Sequence, residues 1–289
     1  MEIGVGLPMK ALSRQELTTF AQKVESGPFN GVSLGQRLTF DSNDPMIALT
    51  FVAAVTNRIR LLTSVLCLPY HKVGVTAQQA ASLDKLSEGR FSFGLGLGGR
   101  ESDFAVAPEA WPRRGARFEE QIIAMRRIWR GEPPFAGTEP VGPTPFTAGG
   151  PELIIGTFAP VGLERAGRLA DGIRSFSFST EPEEHLGRYR IVQEAWDRAG
   201  RPGRPRLIAA THFSLGPEAR ESYETHVKKY YGYSQATMDQ ALSGTTPTSA
   251  DAIKATIERF ASAGIDELVF TATTTDPMES LDRLADVIG

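Results

Sequence analysis

Residues 149–176, GGPELIIGTFAPVGLERAGRLADGIRSF, decide the fold. A strand-length apolar run, Leu153–Ile155, breaks at Gly156. A helical pattern over Val161–Leu169 follows, and a second apolar run, Ile173–Phe176, closes the unit. Two strands joined through a helix lie parallel, because the helix carries the chain back along the sheet before the next strand begins. The same unit recurs in both directions. Toward the N-terminus, Ile3–Leu7 reads as a strand, and the S-x-x-E capping box Ser13/Glu16 opens a helix through Val24. Gly31–Leu34 is the second strand, and Asp44 followed by Pro45 starts an alanine-rich helix to Thr56. Ile59–Leu66, a helix over Val75–Leu86 and Phe91–Leu97 continue the alternation. A fourth helix over Arg113–Trp129 puts Phe118, Ile122, Met125 and Trp129 on one face.

Toward the C-terminus, a helix over Glu181–Ala199 follows the capping pair Thr180/Glu183, and Leu207–Leu215 is the seventh strand. Then come a helix over Ala250–Ala263, strand Glu267–Thr271 and a last helix capped by Asp276-Pro277-Met278-Glu279. Two segments interrupt the rhythm: a proline- and glycine-rich excursion or small hairpin over 131–151, and a tyrosine-bearing helical insertion over 217–246. Eight uninterrupted βα repeats favour one α/β domain over 1–289, a (β/α)8 TIM barrel with insertions after the fourth helix and the seventh strand, over an open doubly wound sheet. Function in such a barrel gathers at the C-terminal strand ends, here Leu7-Pro8, Gly35–Asp41, Thr63–Leu68, Gly96–Arg100, Gly156–Ala159, Ser175–Ser179, Thr211–Phe213 and Thr271–Thr275.

Composition narrows the ligand. Thirty-one basic and 34 acidic side chains give a net charge of -3 with interspersed signs, so nothing electrostatic argues for nucleic acid or a membrane surface. A small organic substrate fits better. The one cysteine, Cys67, excludes a disulfide within the chain and a multi-thiolate metal site, and its apolar strand setting makes it a buried hydrophobe. MEIGVGLPMK lacks the basic start and apolar run of a signal peptide, and no stretch is apolar for the roughly 18 residues of a membrane span, so the cytoplasm is expected.

The strand ends offer little reactive chemistry of their own. Gly94–Gly99, GLGLGG, fits G-x-G-x-x-G, but a loop through Pro108 and Pro112 separates it from the fourth helix, and the acids about 20 residues on, Glu119 and Glu120, lie in that helix rather than at a strand tip. Those glycines either admit a flat ring or phosphate, or bend the strand. Gly156 and Thr157 lie where a strand feeds a helix, so they either cradle an anion or make the turn and cap the helix. The histidines show no zinc spacing, and there is no G-x-S-x-G. His71 and His212 fall near strand ends and are the catalytic candidates, whereas His185 and His226 read as solvated helix residues. Asp41 reads as a loop residue making its own turn. A mouth so short of metal ligands and nucleophiles suggests that a bound organic cofactor supplies the reactivity.

These segments together resemble the bacterial-luciferase-like family, the luciferase-like monooxygenases. The motifs are IGVGLP, FNGVSLGQRL, DPMIALTFVAAVTNRIRLLTSVLCLP, TAQQAASLDKLSEGRFSFGLGLGGRESDF, RRGARFEEQIIAMRRIWRGE, GGPELIIGTFAPVGLERAGRLADG and the closing LADVIG, in that order over nearly the whole chain. The resemblance implies flavin mononucleotide (FMN) or the 5-deazaflavin coenzyme F420 across the barrel mouth. It places Gly156 and Thr157 at the phosphate, Leu97, Gly98 and Arg100 by the phosphate or ribityl chain, and Leu7, Thr63, Ser64 and Val65 around the ring. It also implies a non-proline cis peptide at Ser64-Val65. Where many relatives carry a Gly-Ser-Pro-like turn, this chain has Gly156-Thr157-Phe158-Ala159-Pro160.

The leading expectation is a monooxygenase that uses reduced FMN and oxygen on a small organic substrate, fed by a separate flavin reductase or a nicotinamide. Hydride transfer with F420 is one alternative, and a non-catalytic flavin-binding protein is another. A cofactor-free isomerase with Asp41 as base is the remaining reading. An enzyme would use 131–151 or 217–246 as a lid over the ring. The resemblance also implies a homodimer.

Overall fold

Every step from one strand to the next passes through a helix, so all pairings are parallel and the sheet curls until its ends meet. The computed structural model describes residues 1–273 and 276–289; of the strand-end positions named above, 274 and 275 lie outside the described residues. The strands are β1 Glu2–Gly6, β2 Gly31–Leu34, β3 Arg60–Thr63, β4 Leu66–Cys67, β5 Phe91–Gly96, β6 Glu152–Gly156, β7 Gly172–Phe176, β8 Arg206–Phe213 and β9 Glu267–Ala272. β1 pairs with both β2 and β9, and β3 pairs with β5, which closes the ring. β3 and β4 are one barrel strand interrupted by the cis Ser64-Val65 peptide. The result is an eight-stranded (β/α)8 barrel.

Its helices are α1 Arg14–Ser26, α2 Pro45–Val55, α3 Val73–Leu86, α4 Glu101–Val106, α5 Arg114–Trp129, α6 Pro160–Leu169, α7 Glu183–Arg198, α8 Ala219–Tyr231, α9 Gln235–Ser243, α10 Ala250–Ser262 and α11 Pro277–Ile288. The caps at Ser13/Glu16, Asp44 and Asp276 form as the sequence predicts. The pair Thr180/Glu183 does not. Thr180 instead takes Thr245 as its partner, and α7 begins after Pro182 with no side-chain cap.

Alternate residues of each strand face the barrel axis, and they stack in layers. The lowest layer is ionic: Arg206 bonds Glu2, Glu152 and Glu267 at 2.6–3.1 Å, and Arg60 bonds Glu152 at 3.0 Å and Ser92 at 2.6 Å. Above it Leu62, Ile154, Ile208, Ala210 and Val269 form a small apolar plug, separate from the larger core between sheet and helices. The uppermost inward positions differ again. They are Gly6, Gly35, Gly96 and Gly156 on one side of the mouth, and Phe176, His212 and Thr271 on the other.

Two placements correct the sequence reading. Residues 131–151 contain no strand; they leave α5 and enter β6 from its N-terminal end, as any helix-to-strand connection must, so they lie opposite the mouth. Thr147 is tied there to Asp84 near the end of α3. Of the two segments, it is 217–246, forming α8 and α9, that lines the cleft at the mouth, through His226, Tyr230, Tyr231 and Thr237. The glycine-rich segment also leads into a short helix, α4, two residues after Gly99, so the absence of a nearby helix is not what separates it from a dinucleotide fingerprint. The closed barrel is, since the open-sheet crevice that such a fingerprint serves does not exist here.

Candidate active site

The cleft at the C-terminal mouth holds about 790 Å³. Its floor on one side is made by the β3–β4 interruption. A Cβ built on Gly96 would lie 2.4 Å from Val65 Cγ2, and one on Gly156 would lie 2.7 Å from Val65 Cγ1. A Cβ on Gly35 would meet the Ser64 carbonyl at 2.9 Å, and one on Gly94 would meet the Thr63 carbonyl at 1.8 Å. These glycines admit the protruding Thr63–Val65 backbone and the Val65 isopropyl group. Neither a bend in β5, which runs unbroken from Phe91 to Gly96, nor a ligand explains Gly94 and Gly96; they make room for the neighbouring strand. Gly99 has nothing within 4 Å of its would-be Cβ and opens onto the cleft.

The opposite wall is aromatic. Phe176 and Phe178 meet edge to face at 5.0 Å, Phe178 meets Tyr231 at 5.2 Å, and His212 lies 5.0 Å from Phe176. His212 is buried, and its Nε2 shares a 2.9 Å hydrogen bond with the Tyr231 hydroxyl. Burial, with His226 adding to it, pushes the His212 pKa well below its usual value, and burial raises that of Tyr231 well above its own. The imidazole is thus neutral at pH 7 and the phenol protonated. His226 stacks on Tyr230 at 5.6 Å, and burial brings its pKa down to about 4.

Arg37 and Arg100 hold the α8–α9 segment at one edge, Arg37 by a 3.1 Å bond to the Tyr230 carbonyl and Arg100 by lying 4.4 Å over Tyr233. Among the described residues the cleft has one carboxylate, Glu184, held by Arg188 at 2.7 Å and by a short bond from Ser177.

Of the residues singled out in the sequence, Leu7, Ser64, Val65, Leu97, Gly98, Arg100, Gly156, Thr157 and His212 line this cleft together. Thr63 does not. It is fully buried, with its hydroxyl donating to the Gly94 carbonyl, and it supports the floor from behind. His71 lies outside as well; its Nε2 bonds Gln36 Oε1 at 3.0 Å, and Gln36 rather than His71 reaches the cleft. Thr157 caps nothing, since α6 starts at Pro160 without a side-chain cap. Asp41 is exposed and away from the cleft. Cys67 is buried, as its strand setting implies, and burial pushes its thiol up to about 11. His185 and His226 are the clear misreadings: His185 is fully buried against Ser175 and Phe260, and His226 lines the cleft. Sequence reasoning misses Arg174, Gln36, Phe176 and Tyr231, although the inward parity of Arg174 and Phe176 on β7 is readable from alternation alone.

Buried polar atoms without partners converge here: Ser64 Oγ, Gln36 Nε2, Arg100 Nε, Arg174 Nε, His212 Nδ1 and His226 Nε2. Such atoms are costly unless something else satisfies them. The family model for luciferase-like monooxygenases matches residues 1–282. The chain belongs to the luciferase-like monooxygenase family.

It is 30% identical over 178 residues to an uncharacterised protein of Mycobacterium tuberculosis, a match covering 57% of this chain and 60% of that protein. It is 30% identical over 192 residues to a phthiodiolone/phenolphthiodiolone dimycocerosates ketoreductase of Mycobacterium sp. strain JLS, covering 63% and 50%. It is 29% identical over 195 residues to a 4-hydroxyprotoasukamycin monooxygenase of Streptomyces nodosus subsp. asukaensis, covering 63% and 52%. The matches thus span about half to three-fifths of these relatives' own lengths. Among solved structures, an F420-dependent secondary alcohol dehydrogenase superposes with a TM-score of 0.79 at 18% identity over 99% of this chain and 97% of that one, which shows the shared fold. Among the described residues, no helix is long and apolar enough to cross a membrane.

Proposed function

We propose that this chain is a flavin-dependent monooxygenase that binds reduced FMN across the barrel mouth and oxygenates a small organic substrate. One observation carries the reading: a glycine-cleared floor filled by the Ser64-Val65 bulge faces an aromatic wall, with unpartnered donors between them. That arrangement fits a flat, heteroatom-edged ring. Bound reduced flavin supplies the electrons with which oxygen is activated, a chemistry no described side chain of the cleft offers. Ser64 and Gln36 are placed to satisfy the polar edge of such a ring. Gly156, Thr157 and Arg100 lie where its phosphate tail leaves the mouth.

The protein's own part is positioning and shielding. Val65 backs the ring, and α8 and α9 cover the mouth and exclude water. The neutral His212 and the protonated Tyr231 hold a proton at the Tyr231 hydroxyl, facing the space where substrate sits. A second reading, hydride transfer with F420, draws on that same pair, because a carbonyl acceptor needs a proton at its oxygen, and one curated relative is a ketoreductase.

Admitting oxygen to the anaerobic complexes separates the two. The proposal expects the protein with reduced FMN to consume oxygen and yield an oxygenated product. Turnover of an alcohol or ketone with F420, and no oxygen-coupled product with FMN, would overturn it in favour of the second reading.

A further inference from the structure

Two arginines of the cleft, Arg100 at the rim and Arg174 inside the barrel, have no salt bridge among the described residues, and Arg174 is the one the barrel encloses. Arg174 projects inward from β7, in register with Gly156, and its guanidinium carbon stands 5.8 Å from the centre of the Phe176 ring. Among the described residues no carboxylate forms a salt bridge with it, and its Nε is buried without a hydrogen-bond partner. Lower in the same barrel, Arg206 has three carboxylates. Two interior arginines have therefore been treated oppositely, one neutralised as structure demands and the other left open to the cavity. Arg174 is half-buried, with its Nε shut away and its terminal nitrogens open to the cleft, and a cation partly desolvated without a counter-charge carries a cost that a ligand can settle.

The cation remains charged at neutral pH, since burial brings its pKa down only to about 10. The titratable groups that face it are Tyr230 and Tyr231 from α8, Glu267 from β9 below, His185 from α7 and His212 from β8. The histidines are neutral, because burial depresses them, and burial keeps the Tyr231 phenol protonated, so none of these three rings supplies the missing negative charge. Glu267 is held in the ionic layer by Arg206. Around the guanidinium the cleft offers flat apolar faces, Phe176, Phe178 and Tyr231. Arg188 and Arg100 do not duplicate it: Glu184 answers Arg188, and Arg100 is stacked on Tyr233 at the rim.

We infer that Arg174 is a specificity-determining residue that receives an ionised oxygen of the substrate, so that the site selects flat aromatic phenols or enols bound as their anions. The inference rests on the proposed function for which half of the mouth is left to substrate. A phenolate ring is more electron-rich than the parent phenol, which suits a substrate about to accept oxygen at carbon. The competing occupant is the polar edge of the cofactor ring itself, and the test separates the two.

The cofactor-free protein is titrated with 4-nitrophenolate and with the uncharged 4-nitroanisole, followed by absorbance. Wild type is expected to prefer the phenolate at least tenfold and to lower the apparent pKa of bound 4-nitrophenol by a unit or more. Arg174→Gln should lose that preference with 4-nitroanisole binding unchanged, and Arg174→Lys should keep most of it. Equal binding of the phenolate by wild type and Arg174→Gln would overturn the inference. So would an Arg174→Gln protein that loses FMN affinity tenfold while holding the phenolate. Should the glutamine variant not fold, an unshifted pKa of 4-nitrophenol on wild type overturns it by itself. Failure of FMN and F420 to bind, with the phenolate preference intact, would sink the proposed function and leave the Arg174 assignment standing.

Discussion

The sharpest structural prediction concerns Gly96 and Val65. In Gly96→Ala the new methyl would sit 2.4 Å from Val65 Cγ2, a distance that real Cβ contacts do not reach, and the obstacle is a branched side chain wedged on its other flank against Gly156. Forcing that methyl into place should cost about 1–3 kcal/mol, the range for overpacking a filled site. Val65→Ala deletes both Cγ atoms. The nearest atoms to the methyl introduced at position 96 would then be Val65 Cβ at 3.5 Å and the Gly156 carbonyl at 3.7 Å, which are ordinary contacts. In that background Gly96→Ala should cost nothing or gain up to about 1 kcal/mol from the stiffer residue. The two substitutions are therefore expected to couple by about 1 kcal/mol or more, read from a double-mutant cycle of urea unfolding. FMN affinity should fall in Gly96→Ala and recover in the double variant. Additive effects on stability would show that Val65 does not occupy the space the glycine leaves, and the account of the cleft floor would be wrong.

Three further outcomes follow from the same geometry. Tyr231→Phe should lower turnover about 100-fold, the low end for losing a positioned proton donor, while FMN affinity changes less than about twofold; equal losses in both would make the tyrosine structural. His226 has a folded pKa of about 4, below its unfolded value of 6.5, so its contribution is intact above about pH 6.5 and is lost as the pH falls toward 4. In His226→Gln the fall in unfolding free energy between about pH 6 and pH 4.5 should be shallower by about 1.4 kcal/mol per pH unit, and an unchanged slope would show that this histidine is solvated. Arg174→Met should remove a half-buried cation that has no salt bridge and raise stability by about 0.5–2 kcal/mol, seen as a higher Tm; a clear loss would mean that the arginine has a partner within the fold.

The barrel is readable because its evidence is local and repeated. The alternation around 149–176 and the caps at Ser13, Asp44 and Asp276 depend on residues a few positions apart, and the structure reproduces each of them. What cannot be read locally depends on who meets whom. His226 looks solvated on its own helix, and only the return of α8 over the mouth stacks it on Tyr230 and brings it to His212. His71 follows a strand end, yet Gln36 stands between it and the cleft. Residues 101–106 are too few to show a helical period, so α4 leaves no signal in the pattern. Two of the misses had a usable signal. The barrel rule that helix-to-strand loops return to the N-terminal face places 131–151 away from the mouth, and strand parity points Arg174 inward with Phe176. Cofactor placement at Gly156, Thr157, Ser64 and Val65 came from the family resemblance, and the structure brings those residues to one cleft.

The most direct measurement is an equilibrium fluorescence titration of the folded protein with FMN and, separately, with F420. A mouth shaped to take a tricyclic redox ring by its face and its phosphate tail predicts saturable binding of at least one of them with a Kd below about 100 µM, roughly -5.5 kcal/mol. If correctly folded protein binds neither at that concentration, the cleft serves some other ligand and the account fails.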